Sequence, residues 1–271
     1  MPAGASEHHR SSQIPPEGVT LTRQDRPNPS APPAQKLRLR YAKRGRLRFT
    51  SHRDIARAFE RALRRAHVPM AYSQGFNPHP KISWIGAAPT GVASEAEYVE
   101  IQLVTVVEPA ELVATLDAAM PPGLDLLEAV VADTGGSLAD RVEASRWRIE
   151  LDGVSSDTLA DAVTRMLAEP VVEVERLTKH GMRTIDARAA IITATVPAET
   201  SPAGVTCGIL DVVVRQTTPA VRPDDVLSAL RVVAALEPPV PAKATRMAQG
   251  RLDDSGGLAD PLAQDRAANV G

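Results

Sequence analysis

A short proline-rich stretch, YSQGFNPHPKIS at residues 72–83, concentrates side chains that can handle protons and charge. Tyr72, His79 and Lys81, together with His52, could act as general acid, general base and charge stabiliser in the metal-independent scission of a phosphodiester. The same side chains are equally suited to hold a phosphate or a nucleobase without reaction. We therefore assign no catalytic residue and keep these four as the alternative, catalytic set.

The prolines of this stretch determine how its side chains are presented. Pro78 and Pro80 fix their own φ angles and push the residues before them toward extended backbone, so the stretch cannot easily be helix or central strand. We expect a stiff loop in which Phe76 stacks on a base and Asn77, His79 and Lys81 orient it. The alternative is a rigid turn that only reconnects two elements.

Basic residues are concentrated in one region of the chain. Between Lys36 and Met70 there are twelve Lys or Arg against two acids, a balance of +10, whereas the remainder has 19 basic and 31 acidic residues, a balance of −12. The net charge of −2 conceals this asymmetry. A local excess of this kind predicts a localised anionic partner.

Nine arginines carry most of this charge, and we predict that they form a phosphate-binding face together with the loop residues above. They are Arg38, Arg40, Arg46, Arg48, Arg53, Arg57, Arg61, Arg64 and Arg65. The first four are expected on the outward face of one or two strands and the others on a helix. RNA backbone is the favoured ligand; the alternative is that long arginines only solvate a surface and cover apolar stems.

Hydrophobic periodicity predicts an α+β protein made of two tandem ferredoxin-like domains with disordered tails at both ends. Residues 36–49 alternate with period two around a turn at residues 43–45, which predicts a strand pair or one long bent strand. A helix follows in which Ser51 caps the start and Ile55, Phe59, Ala62, Leu63 and Ala66 share a face. The order β-α-β-β-α-β fits residues 36–134 and, with an extra strand, residues 140–252. Residues 1–35 and 253–271 are polar, lack periodicity and are predicted to be disordered.

The second half offers fewer candidates for chemistry. Lys179, Arg183 and Arg188 form a second basic group, which is either a further nucleic-acid contact or an ordinary basic hairpin turn. No metal ligands at a suitable spacing, glycine-rich phosphate loop or nucleophile elbow are present, so no metal and no cofactor are expected.

Composition narrows the class of protein. Cys207 is the single cysteine, which excludes an internal disulfide framework and a Cys-x-x-Cys metal site. The absence of long apolar runs and of an apolar N-terminal segment predicts a cytoplasmic protein with no membrane partner. Nothing in the sequence points specifically to DNA.

The segment from Leu47 to Ile101 resembles the radical SAM-linked (radical SAM-associated) family, a domain of unknown function, and the resemblance extends over about residues 36–250. The matching features are Phe49, Ser51, His52, Asp54, the ERALRR stretch at 60–65, YSQGFNP at 72–78, Pro80, Gly91 and Glu97-Tyr98, with TIDARA at 184–189 as a weaker match. The resemblance implies association with radical SAM enzymes, because related domains are found fused behind radical SAM and cobalamin-binding modules. This chain lacks the Cys-x-x-x-Cys-x-x-Cys triplet that holds their cluster, so it resembles a stand-alone accessory.

Three functional hypotheses follow from these observations. The first is an accessory RNA-binding protein that presents RNA to a modifying or processing enzyme, with a radical SAM enzyme as the expected partner. The second is a metal-independent ribonuclease. The third is a protein-interaction module whose basic face docks an acidic partner.

Overall fold

The computed structural model describes residues 31–132, 136–178, 181–198 and 206–269. The elements of the first half are β1 Gln35–Lys43, α1 His52–Arg65, β2 Ile82–Ile85, β3 Ala93–Leu103, α2 Pro109–Ala119 and β4 Leu124–Val131. Those of the second half are β5 Ala144–Asp152, α3 Ser156–Ala168, β6 Glu173–Thr178, β7 Gly181–Asp186, β8 Ile191–Thr195, β9 Cys207–Arg215, α4 Pro223–Ala234 and β10 Lys243–Leu252. The C-terminal region adds β11 Leu258–Ala259 and α5 Ala263–Ala268.

A nine-stranded mixed sheet forms the centre of this α+β protein within the described residues. Its main order is β4-β1-β3-β10-β5-β9-β8, with β2 beside β3 and β11 beside β10, while β6 and β7 form a separate hairpin. The first half shows the predicted element order β-α-β-β-α-β. Its strands lie in the order β4-β1-β3-β2 with every neighbour antiparallel.

The second half repeats this arrangement with one insertion. Its strands lie in the order β10-β5-β9-β8, again with antiparallel neighbours, and the β6–β7 hairpin is inserted after α3. The halves are joined where β3 and β10 run parallel, with Ala93 opposite Thr245 and Ser94 opposite Arg246. One continuous sheet therefore crosses the boundary between the halves, a connection that the sequence did not predict.

Helix α1 forms as the sequence predicts. Ser51 Oγ accepts a hydrogen bond from the Asp54 N–H at 3.3 Å and its hydroxyl donates to Asp54 Oδ2 at 2.7 Å, which satisfies one of the unpaired amides at the helix start. The buried side chains of the helix are Ile55, Phe59, Ala62 and Leu63. They pack with β1, β3 and α2 in an apolar core that is mainly aliphatic.

The stretch after β1 differs from the prediction. The alternation predicts a strand over residues 46–49 after a turn at residues 43–45, but Gly45–Phe49 form a 3₁₀ turn. Gly45 adopts a φ of +55°, a conformation that glycine tolerates and that turns the chain out of β1. Over five residues the alternation of Leu47 and Phe49 with arginines cannot distinguish a strand from such a turn.

The prediction of a disordered C-terminal tail at 253–271 is wrong for residues 258–268, which form β11 and α5. Leu262 is fully buried in an apolar cluster with Tyr98, Val130 and Leu138, and Asp265 is fully buried as well. This segment contains few apolar residues. Few are enough to hold it in place, because it packs on a sheet face that the rest of the chain forms. Residues 1–30 of the predicted N-terminal tail lie outside the described residues.

No helix in the described ranges combines the length and the apolar character needed to cross a membrane.

Candidate nucleic-acid interface

Four arginines on the outer side of α1 form what we call the arginine surface: Arg53, Arg57, Arg61 and Arg64. At 3.6 residues per turn they lie within about 80° of the helix circumference, opposite the buried stripe, and extend about 16 Å along the axis. All four are exposed. The arginine surface is therefore a single solvent-facing row along α1.

Local acids neutralise this row only in part. Arg57 Nη1 lies 3.6 Å from Asp54 Oδ1 and Arg64 Nη2 lies 3.4 Å from Glu60 Oε2, both within one turn of the same helix. Such exposed pairs contribute on the order of 0.5 kcal/mol or less, so both arginines can exchange partners easily. In the described part of the chain, Arg53 and Arg61 have no ion pair.

The other arginines do not complete the predicted single face. Arg40 alternates with Leu39 and Tyr41, which pack under α1, so it lies on the opposite side of the sheet. Arg46 is exposed on the 3₁₀ turn. Arg40 and Arg48 are half-buried and donate from Nε to the carbonyl oxygens of Glu95 and Gly91, each at 2.9 Å, while Arg65 donates to the Ala119 carbonyl. Carbonyl partners fix these side chains without removing their positive charge.

Arg38 does not lie on an outward face, contrary to the prediction. It is fully buried; its Nε lies 2.9 Å from Glu100 Oε1 and its Nη1 lies 2.6 Å from Asp265 Oδ1. Burial alone would lower the pKa of Arg38, but the hydrogen bonds to Asp265 and Glu100 outweigh it and the pKa is raised. Arg38 is excluded from a nucleic-acid contact because α5 covers its side of the sheet.

The loop from Tyr72 to Lys81, here called the proline loop, is closed at its base by backbone pairing. The Ser73 N–H donates to the His79 carbonyl at 2.8 Å, and the His79 N–H donates to Ser73 Oγ at 3.0 Å. Tyr72 and Pro80 form an isolated bridge. Phe76 stands at the loop tip with 86% of its surface exposed, and Asn77 and His79 are exposed as well.

The alternative catalytic set is only partly brought together. His79 and Lys81 line a shared pocket of about 240 Å³ with Lys36, Glu100 and other residues, on the sheet side that does not carry α1. His52 instead packs edge-on against Trp84, with 5.2 Å between ring centroids, on the side that carries α1. A catalytic set must lie within hydrogen-bond reach of one substrate, so the geometry does not favour His52 as a partner of His79.

The basic group of the second half is also divided. Arg183 is exposed on β7, whereas Arg188 is half-buried and donates to the Ile191 carbonyl at 3.1 Å. Asp186 Oδ1 accepts from the Arg188 N–H at 3.0 Å, which satisfies an amide at the start of the 3₁₀ turn Arg188–Ala190. Lys179 lies outside the described residues.

A group of charged residues that sequence reasoning missed lies buried where the halves meet. Lys43, Glu97 and Arg246 are 3%, 2% and 4% exposed, and Arg246 Nη1 is 3.3 Å from Glu97 Oε1. Lys43 Nζ donates to the Pro89 carbonyl at 3.0 Å, and the Ala88 N–H donates to Glu97 Oε2 at 2.9 Å. The cluster fixes the loop at residues 86–91, and no local pattern signals it because its members come from distant strands.

Burial dominates the electrostatics of this cluster. It lowers the pKa of Lys43 and the pKa of Arg246, and in both cases the carboxylate of Glu97 opposes the shift. Burial also raises the pKa of Tyr41, and the nearby charge of Glu97 adds to that rise. Two buried cations thus lie near one carboxylate, with which Arg246 forms an ion pair.

Fold and sequence together define the class as an α+β protein with a large mixed sheet and an arginine-rich helix. The chain belongs to a family described as an uncharacterized protein conserved in bacteria (DUF2344), whose model matches residues 36–223. No curated protein matches the sequence. Among solved structures, the crystal structure of the first two RRM domains of yeast poly(U) binding protein is similar at 10% identity, covering 78% of this chain and 98% of that one, with a TM-score of 0.17. A score this low does not indicate a shared fold.

Proposed function

We propose that this protein is an accessory RNA-binding protein that presents RNA to an enzyme that modifies or processes it. The observation that carries the proposal is the arginine surface, an exposed row of guanidinium groups that nearby carboxylates neutralise only in part. Like charges held side by side repel one another, and a polyanion relieves that repulsion. Phosphate contacts of this kind supply most of the affinity in non-specific nucleic-acid binding.

The proline loop supports RNA as the polyanion. Its tip exposes Phe76 almost completely, and single-stranded RNA is recognised by stacking unpaired bases on aromatic side chains. The base of the loop is held by the hydrogen bonds between Ser73 and His79, so little conformational entropy is lost when the tip contacts a ligand. Asn77 beside Phe76 offers both a donor and an acceptor to a base edge.

Fluorescence anisotropy with a labelled RNA hairpin that carries a single-stranded loop tests the proposal. We expect the double variant Arg57→Glu and Arg61→Glu to lose at least tenfold in affinity, a cost of about 1.4 kcal/mol. The matched control is Arg165→Glu with Arg231→Glu, since both arginines are exposed on helices of the second half. Equal affinity of the two double variants would refute the assignment of the interface.

The same RNA, incubated with the protein in EDTA, tests the ribonuclease alternative. Cleavage at defined positions that is lost in His79→Ala or Lys81→Ala would establish catalysis at the pocket these residues share. Copurification of an acidic protein that survives nuclease treatment would instead support the interaction-module alternative.

Two further statements belong to the proposal. Each half is a ferredoxin-like unit, which is supported by the matching strand orders β4-β1-β3-β2 and β10-β5-β9-β8. The expected enzyme partner is a radical SAM enzyme, which is supported by the family resemblance of residues 47–101 alone. Mass spectrometry of proteins copurified from a bacterial host, with and without nuclease, tests this partnership.

A further inference from the structure

A cavity of about 480 Å³, here called the seam cavity, lies where the two halves of the molecule meet. The loop around residues 86–90 forms its wall on the first half, and residues 215–224 around the start of α4 form the opposite wall. Ser145, Trp147 and Gln249 lie between them on β5 and β10. A volume of this size is typical of pockets that hold small molecules.

Positive charge dominates the lining. Arg215, Arg222 and Arg246 face one acid, Asp224, among the lining residues. Arg215 and Arg222 are exposed at the rim. Arg246 is 4% exposed, and its Nε, which is buried, has no hydrogen-bond partner within the described part of the protein.

A further feature raises the positive potential near the seam cavity. Lys43 Nζ donates to the Pro89 carbonyl in the loop at residues 86–91, and this buried cation lies near the same carboxylate, Glu97, that pairs with the buried Arg246. An unneutralised buried cation is costly, and an anion in the cavity would offset that cost.

The lining also restricts the kind of ligand. Trp147 is 4% exposed, and the guanidinium carbon of Arg246 lies 4.7 Å from its ring centroid, so the ring offers no free face for stacking. Recognition must therefore depend on charge and hydrogen bonds. The planar guanidinium fork of arginine fits phosphate oxygens in pairs, which makes phosphate the matching anion.

We propose that the seam cavity is a binding site for a small phosphate-bearing molecule, held between Arg246 at the floor and Arg215 and Arg222 at the rim. The site shares no residue with the arginine surface, so it stands independently of RNA binding. A bound phosphate connects the loop at residues 86–90 with the start of α4 and so links the halves of the molecule on the side of the sheet that carries the helices.

Isothermal titration calorimetry of the full chain with inorganic pyrophosphate and with adenosine 5′-monophosphate tests this proposal, with adenosine as the uncharged comparison. We expect both phosphates to bind and adenosine not to bind. The double variant Arg215→Gln and Arg222→Gln should weaken phosphate binding by about tenfold or more, because it removes two guanidinium groups that make charge-assisted hydrogen bonds to phosphate. Arg231→Gln, at the far end of the same helix, should bind as the unaltered protein does.

Hydrogen exchange provides a second readout that does not depend on a variant folding correctly. Pyrophosphate should slow exchange at residues 86–91 and at the start of α4, and should leave the proline loop unchanged. The proposal is overturned if neither phosphate binds at millimolar concentration, if adenosine binds as well as its monophosphate, or if the rim variant retains full affinity. None of these results bears on the RNA affinity of the arginine surface.

Discussion

Two sets of arginines lie on opposite sides of the first half of the sheet and have different surroundings. The arginine surface on α1 faces solvent, and its acids are exposed neighbours on the same helix. Arg38 and Arg141 lie on the other side and are buried. Both form ion pairs with Asp265, a residue of α5 that is distant from them in the sequence. The comparison shows that local charge density alone does not identify a binding surface, because a distant segment can supply the neutralising carboxylate.

The largest loss of stability is expected when Asp265, the carboxylate that pairs with the buried Arg38 and Arg141, is replaced. Asp265→Ala removes the carboxylate that pairs with the buried guanidinium groups of Arg38 and Arg141. Breaking a buried ion pair typically costs about 3–5 kcal/mol, so we expect the free energy of unfolding to fall by about that amount. Urea denaturation followed by circular dichroism measures it. Asp254→Ala, at an exposed position of the same region, is the control and should change stability by less than about 0.5 kcal/mol.

If Asp265→Ala proves as stable as its control, the packing of α5 over the sheet is not maintained in solution. Arg38 would then be accessible, and the basic face would be larger than the arginine surface.

A smaller effect is expected at the tip of the proline loop. Phe76→Ala removes a side chain that is 86% exposed, so stability should not change, but stacking on a base should be abolished. Base–aromatic stacking contributes about 1–3 kcal/mol per base, which corresponds to a loss of RNA affinity between about 5-fold and 150-fold. Val106→Ala, which is also largely exposed, is the control and should bind RNA normally.

An unchanged anisotropy titration for Phe76→Ala would show that the loop tip makes no RNA contact. The interface would then be reduced to the arginine surface.

The smallest effect is expected at the start of α1. Ser51→Ala removes the side chain that accepts from the Asp54 N–H, and loss of such a cap costs about 1 kcal/mol. A shift in the urea midpoint with no change in slope would confirm it. RNA affinity should fall by less than in the Phe76 variant, since the arginine surface stays in place; a larger fall would mean that the helix start itself contacts RNA.

The sequence predicted those parts of the fold whose signals are local. The spacing of Ile55, Phe59, Ala62 and Leu63 with Ser51 before them specifies α1, and Pro78 and Pro80 specify the loop. The sequence could not predict what depends on distant contacts. Asp265 lies in a polar stretch with no periodicity, and its burial becomes apparent only when Leu262 is seen to pack under Val130 and Leu138.

In the candidate site, too, the features with local signals could be predicted and the features that depend on distant contacts could not. The outward position of the arginines on α1 could be predicted because helical periodicity places them opposite the apolar face. The outward position of Arg38 was predicted from period-two alternation, which correctly separates the two sides of a strand but cannot tell whether a second layer covers one of them. Glu97 and Arg246 lie 149 positions apart in the sequence, so their ion pair could not be predicted without knowing that β3 and β10 lie side by side.

The central claim is that RNA phosphates replace counterions on the arginine surface, and the salt dependence of RNA affinity tests it most directly. The logarithm of affinity against the logarithm of salt concentration should fall steeply for the unaltered protein. Replacement of Arg57 and Arg61 by Glu should reduce the slope by about 0.7 for each phosphate of a single strand that is no longer neutralised. A slope that is the same for this variant, for Arg165→Glu with Arg231→Glu and for the unaltered protein would contradict the account.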